Sequence, residues 1–426
     1  MTVGGNNERT EYLLVVGAPC YRVDERTFAT EGSFAEHLRV LRKELSPQFE
    51  RLWVAAPQHT DQFYRDNRDH LGQISEQNDR ISYVALNHTN VSGWNFWTKE
   101  AFPIWRALRQ RTRRAKIVHG SLAMNIWQPS LLLANVAAAL DGCKTLFVAD
   151  TDFRKNAWRL WKAGEWSFKS YMVCRVVYDP FRLAQLWIAT RTSSLSLLKG
   201  DSLVRDYGRG RPNVHHFWDA AHSLEQVIDE VALESRIKRL DDRDRPISLI
   251  YFGRFVPYKG LERMIRAVWK ARFSSGRAFV LDLVGSGDDL GRLQSCVRDL
   301  GAAEAIRFND PLPYGQRLFA KIRDADLLLA TPLAEDTPRS AFDAMASGVP
   351  VLGFDIDYYL SLSKESNAVE TTPWLDVDAF AARIVDLDTD RDRLVRMSRG
   401  AVEFARANTQ EHWVNRRIEW TLSLLD

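Results

Sequence analysis

Two carboxylates with seven residues between them, Glu335 and Asp343, sit in the segment LAEDTPRSAFDAMASGVPVLGFD (333–355). Ionised carboxylates accept hydrogen bonds, so a pair at this spacing suits a ligand rich in hydroxyl groups. The preceding run, DADLLLATP, predicts a short buried strand over 326–330 that Pro332 ends. Ser340 fits a helix N-cap, with Pro338 stopping any earlier helix. Gly348 fits the residue after the helix, and Pro350 forbids its continuation. VPVLGF then predicts the next strand. In this strand–loop–helix–strand unit Glu335 lies beyond the carboxyl end of a strand, and Asp343 lies in the first helical turn. Ligands of open α/β sheets bind at that edge. The free N–H groups of a helix start suit a phosphate, and a carboxylate beside them suits the hydroxyls of a ribose.

Other residues of the same kind lie on both sides of this unit. YFGRFVPYKGLERMIRA (251–267) passes from a strand into a helix, with Arg254 and Lys259 around the turn. DLVGSGDDLGRL (282–293) places Gly285 and Gly287 in a turn after a strand, where they either let a nucleotide approach the backbone or serve the turn alone. GSGDDLG misses the dinucleotide fingerprint by one residue at its last glycine and does not open the first βαβ unit, so NAD is not expected. In the first half the strand TLFVA delivers Asp150, followed by Asp152. Asp150 suits a general base on an acceptor hydroxyl, or a turn cap. His119, at the end of AKIVHGS, is a candidate to face a ligand of the first half, the acceptor side in the resemblance given below, or a satisfied buried histidine.

The elements that must position these groups alternate. YLLVV, RLWVAAP, ISYVAL, AKIVHGS and KTLFVA predict strands in the first half, with helices between, such as the one in EGSFAEHLRVLRKEL that Gly32 and Ser33 precede, and SLSLLKG and PNVHHF close that half. Residues 221–245 are rich in charge and predict a surface helix plus linker. From Pro246 a second alternating unit runs to about residue 405, and the last residues are helical. The expected architecture is α/β: a domain over 1–220, a linker over 221–245, a domain over 246–405, and a final helix over 406–426 packing back on the first domain.

The three second-half segments, in this order, resemble the retaining GT-B glycosyltransferases of family 4, the group 1 transferases. Their motifs run GR…P.KG, then G.G, then E..G.P..E.MA.G.P.V. The resemblance implies two Rossmann-like domains facing across a cleft, with a nucleotide-sugar donor in the second and an acceptor in the first. By resemblance Glu335 holds the sugar hydroxyls and Asp343 the ribose. Arg254 and Lys259, with the helix start after Gly260, hold the diphosphate, and Gly285, Gly287 and Ser340 belong to the donor side. Gly32 and Ser33 stand where the family carries a glycine-containing acceptor loop. Cleavage of a sugar–diphosphate bond builds negative charge on the leaving group and an oxocarbenium-like sugar, so cations and a helix dipole at the diphosphate are the expected catalytic aids.

Three departures stand out. Asp343 replaces the usual Glu. EDTPRS lacks the family's glycines. Asp150 takes the place where many relatives carry a histidine. A base at Asp150 suits inversion, whereas the seven-residue spacing implies retention. An Asp-x-Asp after an apolar strand also marks metal sites in the other glycosyltransferase fold, GT-A, which lacks the second-half motifs. The resulting expectation is a metal-independent hexosyltransferase without a cofactor, acting on a glycan or lipid-linked acceptor in polysaccharide or glycolipid synthesis. The alternatives are a nucleotide-sugar epimerase of the same fold and a catalytically silent nucleotide-binding protein.

Composition narrows the setting. The chain of 426 residues, 45% hydrophobic and 27% charged, is that of a globular protein of two or three domains. It contains no run of roughly 18 apolar residues, and its first residues lack the pattern of a signal peptide. Four scattered cysteines, Cys20, Cys143, Cys174 and Cys296, form no metal spacing and fit a reducing cytoplasm. Up to residue 220 there are 30 Lys and Arg against 22 Asp and Glu, and 28 against 33 thereafter. Ten of the 14 tryptophans also precede residue 220. Basic residues interleaved with tryptophan over 94–175 predict contact with an anionic membrane face, the plainer alternative being a solvated basic helix over core tryptophans. No nucleic-acid motif accompanies the basic excess.

Overall fold

The computed structural model describes residues 9–68 and 71–425, without the side chain of Ser33. Two parallel sheets dominate it. The first has the order Val214–His216, Leu195–Leu198, Lys144–Ala149, Ala115–Ser121, Glu11–Val15, Arg51–Gln58, Ile81–His88. The second has the order Ile306–Asn309, Val280–Val284, Ser248–Phe252, Leu327–Ala330, Val351–Phe354, Val369–Thr372. Every pairing in both is parallel.

The apolar runs explain this. Side chains alternate between the faces of a strand, so a strand covered by helices on both faces must be apolar throughout. Tyr12, Leu14, Leu52 and Val54 fill one core of the first domain, and Leu13, Val15, Trp53 and Ala55 the other. Ile250, Phe252, Leu328 and Ala330 lie on one side of the second sheet, with Leu249, Tyr251, Leu327 and Leu329 opposite.

The chain crosses between domains at two adjacent aromatic residues. Phe217 belongs to a core of the first domain, and Trp218 to a core of the second. Residues 221–245 are therefore not a linker. The helix Glu230–Leu240 buries Leu233, Ile237 and Leu240 in the second domain. Arg236, also buried, donates to the carbonyls of Ala325 at 2.6 Å and Asp326 at 3.0 Å. A narrow apolar stripe in a charged sequence, with one arginine satisfied by carbonyls, looks like a solvated helix until its partner surface is known.

Two short strands between the first strand and the helix Gly32–Leu45, Tyr21–Arg22 and Thr27–Glu31, join the later strand Leu71–Ser75 in a small antiparallel sheet that the alternation does not predict. The final helix, Gln410–Leu422, returns to the first domain, where Trp420 stacks on His215 at 4.7 Å and Trp413 touches cores of both domains.

Candidate active site in the interdomain cleft

The carboxyl ends of both sheets face one cleft, and one segment of the first domain reaches across it. Asn156 Oδ1 accepts from Glu335 N at 2.7 Å, Lys155 pairs with Asp357 at 2.9 Å, and Arg263 donates to the Ala163 carbonyl at 2.7 Å. Trp158 lies 5.5 Å from Trp374. This part of the basic, tryptophan-rich window is thus an interdomain contact and not an outward face.

Glu335 is buried, and Arg159, likewise buried, donates to it from the opposite domain. Its oxygens also accept from Tyr358 N at 2.7 Å and Asp357 N at 3.2 Å, the open donors of the helix Asp357–Glu365. Burial pushes its pKa up to about 7 against the pull of Arg159. Asp343 is buried in the helix Ser340–Ala346, where Tyr314 Oη donates to it at 3.1 Å. Burial raises it too to about 7, opposed by Tyr314 and Arg339. The two carboxyls flank one loop, at the end of which Ser340 does not cap the helix. Arg339 holds the cap position without a side-chain bond, and Ser340 is the first helical residue.

Lys259 and Ser340 line one small recess with Thr331 and Asp336. Lys259 is not free there, because Asp336 pairs with it and both side chains are largely buried. Arg254 is exposed, with its guanidinium donating to Tyr258 Oη at 3.2 Å. Gly260, at φ 67°, precedes the helix Leu261–Ser275, and a Cβ there would stand 2.0 Å from the Thr331 carbonyl. Glycine therefore lets the helix start press against the strand end that carries the Glu335 loop.

Gly285 and Gly287 meet protein, not open space. At φ 149° and 155°, a Cβ on either would lie 2.0 Å from Gly253 O and 2.2 Å from Phe255 O. The two turns are joined by Phe255 N to Ser286 O at 2.8 Å and Asp289 N to Phe255 O at 3.1 Å. The glycines hold the turn of Arg254 in place.

On the facing domain Asp150 follows Ala149 at the strand end, open to a cavity of about 300 Å³. Protein surrounds it closely enough that burial raises its pKa, while Lys199 pulls the other way. Asp152 points elsewhere: Arg154 grips it through Nε at 2.7 Å, and Ser202 Oγ donates at 2.8 Å. His119 lines the same cavity, with Tyr12 Oη 2.9 Å from its Nδ1. Burial, with help from Arg417, lowers its pKa to about 3, so it is neutral. Gly32 begins its helix opposite Gly72, where a Cβ on Gly72 would stand 2.7 Å from Ala35 Cβ and 3.3 Å from Gly32 Cα. That close approach places Gly32 against the antiparallel sheet and not at the cavity, and Ser33 shares its first turn, though its side chain lies outside the described residues.

Sequence reasoning missed the groups that connect the two sides. Asp219 is held between Arg339 at 2.9 Å and Lys199 at 3.6 Å. Burial would raise Asp219, but Lys199, Arg339 and Arg417 outweigh it and keep its pKa near about 2. Arg159, Asp336 and Arg417 likewise act on residues far away in sequence, which no local pattern reveals.

Residues 234–404 match the family described as glycosyl transferases group 1. The second domain belongs to that family. This group 1 domain is also similar to a D-inositol 3-phosphate glycosyltransferase of Nocardia farcinica, 32% identical over 182 residues, which are 40% of this chain and 39% of the relative. The match thus spans about two fifths of the curated relative's length. Across both domains the chain resembles HepE of Anabaena in complex with UDP and glucose, with a TM-score of 0.60, 14% identity, and coverage of 97% of this chain and 99% of the other. It also resembles the sucrose-phosphate synthase of Thermosynechococcus elongatus, with a TM-score of 0.63 and 14% identity over 98% and 99% of the two chains. The whole-chain fold is GT-B, as the sequence motifs imply.

Proposed function

We propose that this protein transfers a hexose from a nucleoside diphosphate sugar to a glycan or lipid-linked acceptor, with retention and without a metal ion. The observation that carries this reading is the shared recess of Lys259 and Ser340 beside the glycine-led start of the helix Leu261–Ser275. It holds the Lys259 ammonium, paired with Asp336, beside a helix start whose dipole favours a diphosphate, while Asp343 and Glu335 stand by to accept hydroxyls. The similar HepE structures hold UDP, UDP-glucose, or UDP and glucose, which agrees with such a donor.

In this scheme Arg254, Lys259 and the helix dipole stabilise the departing diphosphate. Binding it means that Lys259 exchanges Asp336 for phosphate oxygens, or shares itself between them. Glu335, steadied by Arg159, orients the sugar, and Asp343 takes the ribose. Asp150 faces them from the acceptor side.

An exposed aromatic surface supports a membrane-bound acceptor. Trp94, Phe102 and Phe168 are 79%, 74% and 58% exposed, with Trp127 and Trp187 also exposed. Lys99, Arg106, Lys169 and Arg175 are exposed among them. Most of these residues follow the carboxyl ends of Ile81–His88, Ala115–Ser121 and Lys144–Ala149, at the sheet edge that carries Asp150. Among the described residues no helix is long and apolar enough to cross a membrane. Each basic residue at an anionic surface adds about 1 kcal/mol to binding, so sedimentation with liposomes should depend on lipid charge and salt.

Turnover of nucleotide sugars in excess EDTA, with product anomer analysis, tests the chemistry. Activity should persist, the configuration should be retained, and Asp150→Asn should leave donor binding intact. A strict Mn²⁺ requirement contradicts the metal-independent scheme. An inverted product with Asp150→Asn slowed by roughly 10²–10⁴-fold makes Asp150 the general base instead.

A further inference from the structure

The cavity behind Asp150 runs into the first domain between one face of its sheet, the helix Gly32–Leu45 and the final helix Gln410–Leu422. Phe34, Leu41, Leu146, Val148 and Ile418 give it apolar walls. Its volume, about 300 Å³, lies at the small end of the usual range for ligand pockets. Packed interiors hold few voids larger than a water molecule, so a space this size with a mouth on the cleft is a binding feature and not a packing defect.

The polar groups in it are few. Burial keeps His37 and His119 neutral, with pKa values near about 4 and about 3. Arg417 is the cation of the cavity. Its Nε donates to the Trp413 carbonyl at 3.2 Å, and its guanidinium lies 5.5 Å from the ring of Phe217. Among the described residues no carboxylate comes within ion-pair distance of it, and Asp219 and Asp150 attract it only from farther away. Asp219 is already committed to Arg339 and Lys199. Lys199 and Arg339 are paired with Asp219, so among these three cations Arg417 is the one left without an ion-pair partner among the described residues, beside an apolar chamber.

We propose that this cavity binds an anionic amphiphile, with an alkyl or aryl group in the chamber and one phosphate or carboxylate on Arg417, and that the acceptor of the transfer is of this class. The last clause rests on the transferase reading, whereas the binding itself does not. An apolar group gains by leaving water for walls of Phe34, Leu41 and Ile418. A single acid on a partly desolvated guanidinium forms a charge-assisted contact that a neutral hydroxyl cannot replace. A purely polyhydroxylated acceptor would leave its hydroxyls unpaired against these walls.

Calorimetric titration of the full chain with octyl phosphate, octanol and inorganic phosphate tests the assignment. Octyl phosphate should bind saturably and more tightly than either fragment. Leu41→Trp and Ile418→Trp, which fill the chamber, should abolish its binding while the proteins still bind nucleotide. Arg417→Gln should weaken octyl phosphate by about 10- to 100-fold and leave octanol nearly unchanged. No saturable binding of octyl phosphate, or full binding to chamber-filled variants, overturns the proposal. Octyl phosphate binding in a protein that turns over no nucleotide sugar would keep the cavity assignment and remove the transferase reading. Turnover without octyl phosphate binding would do the reverse.

Discussion

The two domains share a parallel sheet buried on both faces, yet they gather their functional groups in opposite ways. In the second domain Arg254, Lys259, Glu335, Ser340 and Asp343 come from two short strand-to-helix connections. In the first, the cavity takes Tyr12, Phe34, His119, Asp150 and Arg417 from five separate elements, one of them at the far end of the chain. A phosphate site built on a helix start needs local backbone geometry, which a short motif can encode. An apolar chamber needs only walls, which any packed elements can supply. The second-domain group is therefore compact in sequence, and the first-domain cavity is dispersed.

The largest expected effect lies where the domains meet. Arg159→Ala removes the cation from a buried Glu335, which is worth up to about 3–5 kcal/mol in alkaline solution, where the carboxylate stays charged, and less near neutrality, where it takes up a proton. Thermal or urea unfolding should show that loss, and adding Glu335→Gln should restore part of it. A change under about 1 kcal/mol would mean that the pair does not hold the domains together.

A pH series sharpens the donor side. With its pKa raised to about 7, Asp343 is protonated in mild acid and ionised above neutrality. Only the ionised form accepts from two ribose hydroxyls, so nucleoside diphosphate affinity relative to Asp343→Asn should rise as pH passes through about 7. The variant as reference cancels the titration of the phosphate and of Glu335. The same shift acts oppositely on stability. A carboxyl raised on folding stabilises fully below its unfolded value and loses that contribution as pH climbs through about 7. A flat ratio across this range would remove Asp343 from the ribose.

The smallest effect concerns Asp336, which pairs with Lys259. If it competes with phosphate for Lys259, Asp336→Asn should tighten diphosphate binding a few-fold, on the order of 1 kcal/mol. Weaker binding would make Asp336 a positioner of Lys259 and not its competitor.

This contrast also explains what the sequence disclosed. The strands of both sheets follow from continuous apolar runs, and the group 1 motifs point to the second domain because their residues lie a few positions apart. The antiparallel sheet of Tyr21–Arg22, Thr27–Glu31 and Leu71–Ser75 escaped notice because short strands, one of only two residues, carry little periodicity. The helix Glu230–Leu240 reads as a surface helix because its buried Arg236 is satisfied by carbonyls some 90 residues away. Arg159 and Glu335 stand 176 residues apart, and Lys259 and Asp336 77 apart, so neither pairing leaves a local trace. Gly285 and Gly287 were visible as a turn, but their contact with the Gly253–Phe255 backbone is a tertiary fact.

Central to this account is a diphosphate held by the second domain, and calorimetry of UDP, GDP and ADP, each beside its nucleoside, tests it most directly. At least one diphosphate should bind the unmodified protein, and Lys259→Ala should weaken it by about 10- to 100-fold while sparing the nucleoside. Equal losses for diphosphate and nucleoside, or no binding of any of the three, would contradict it.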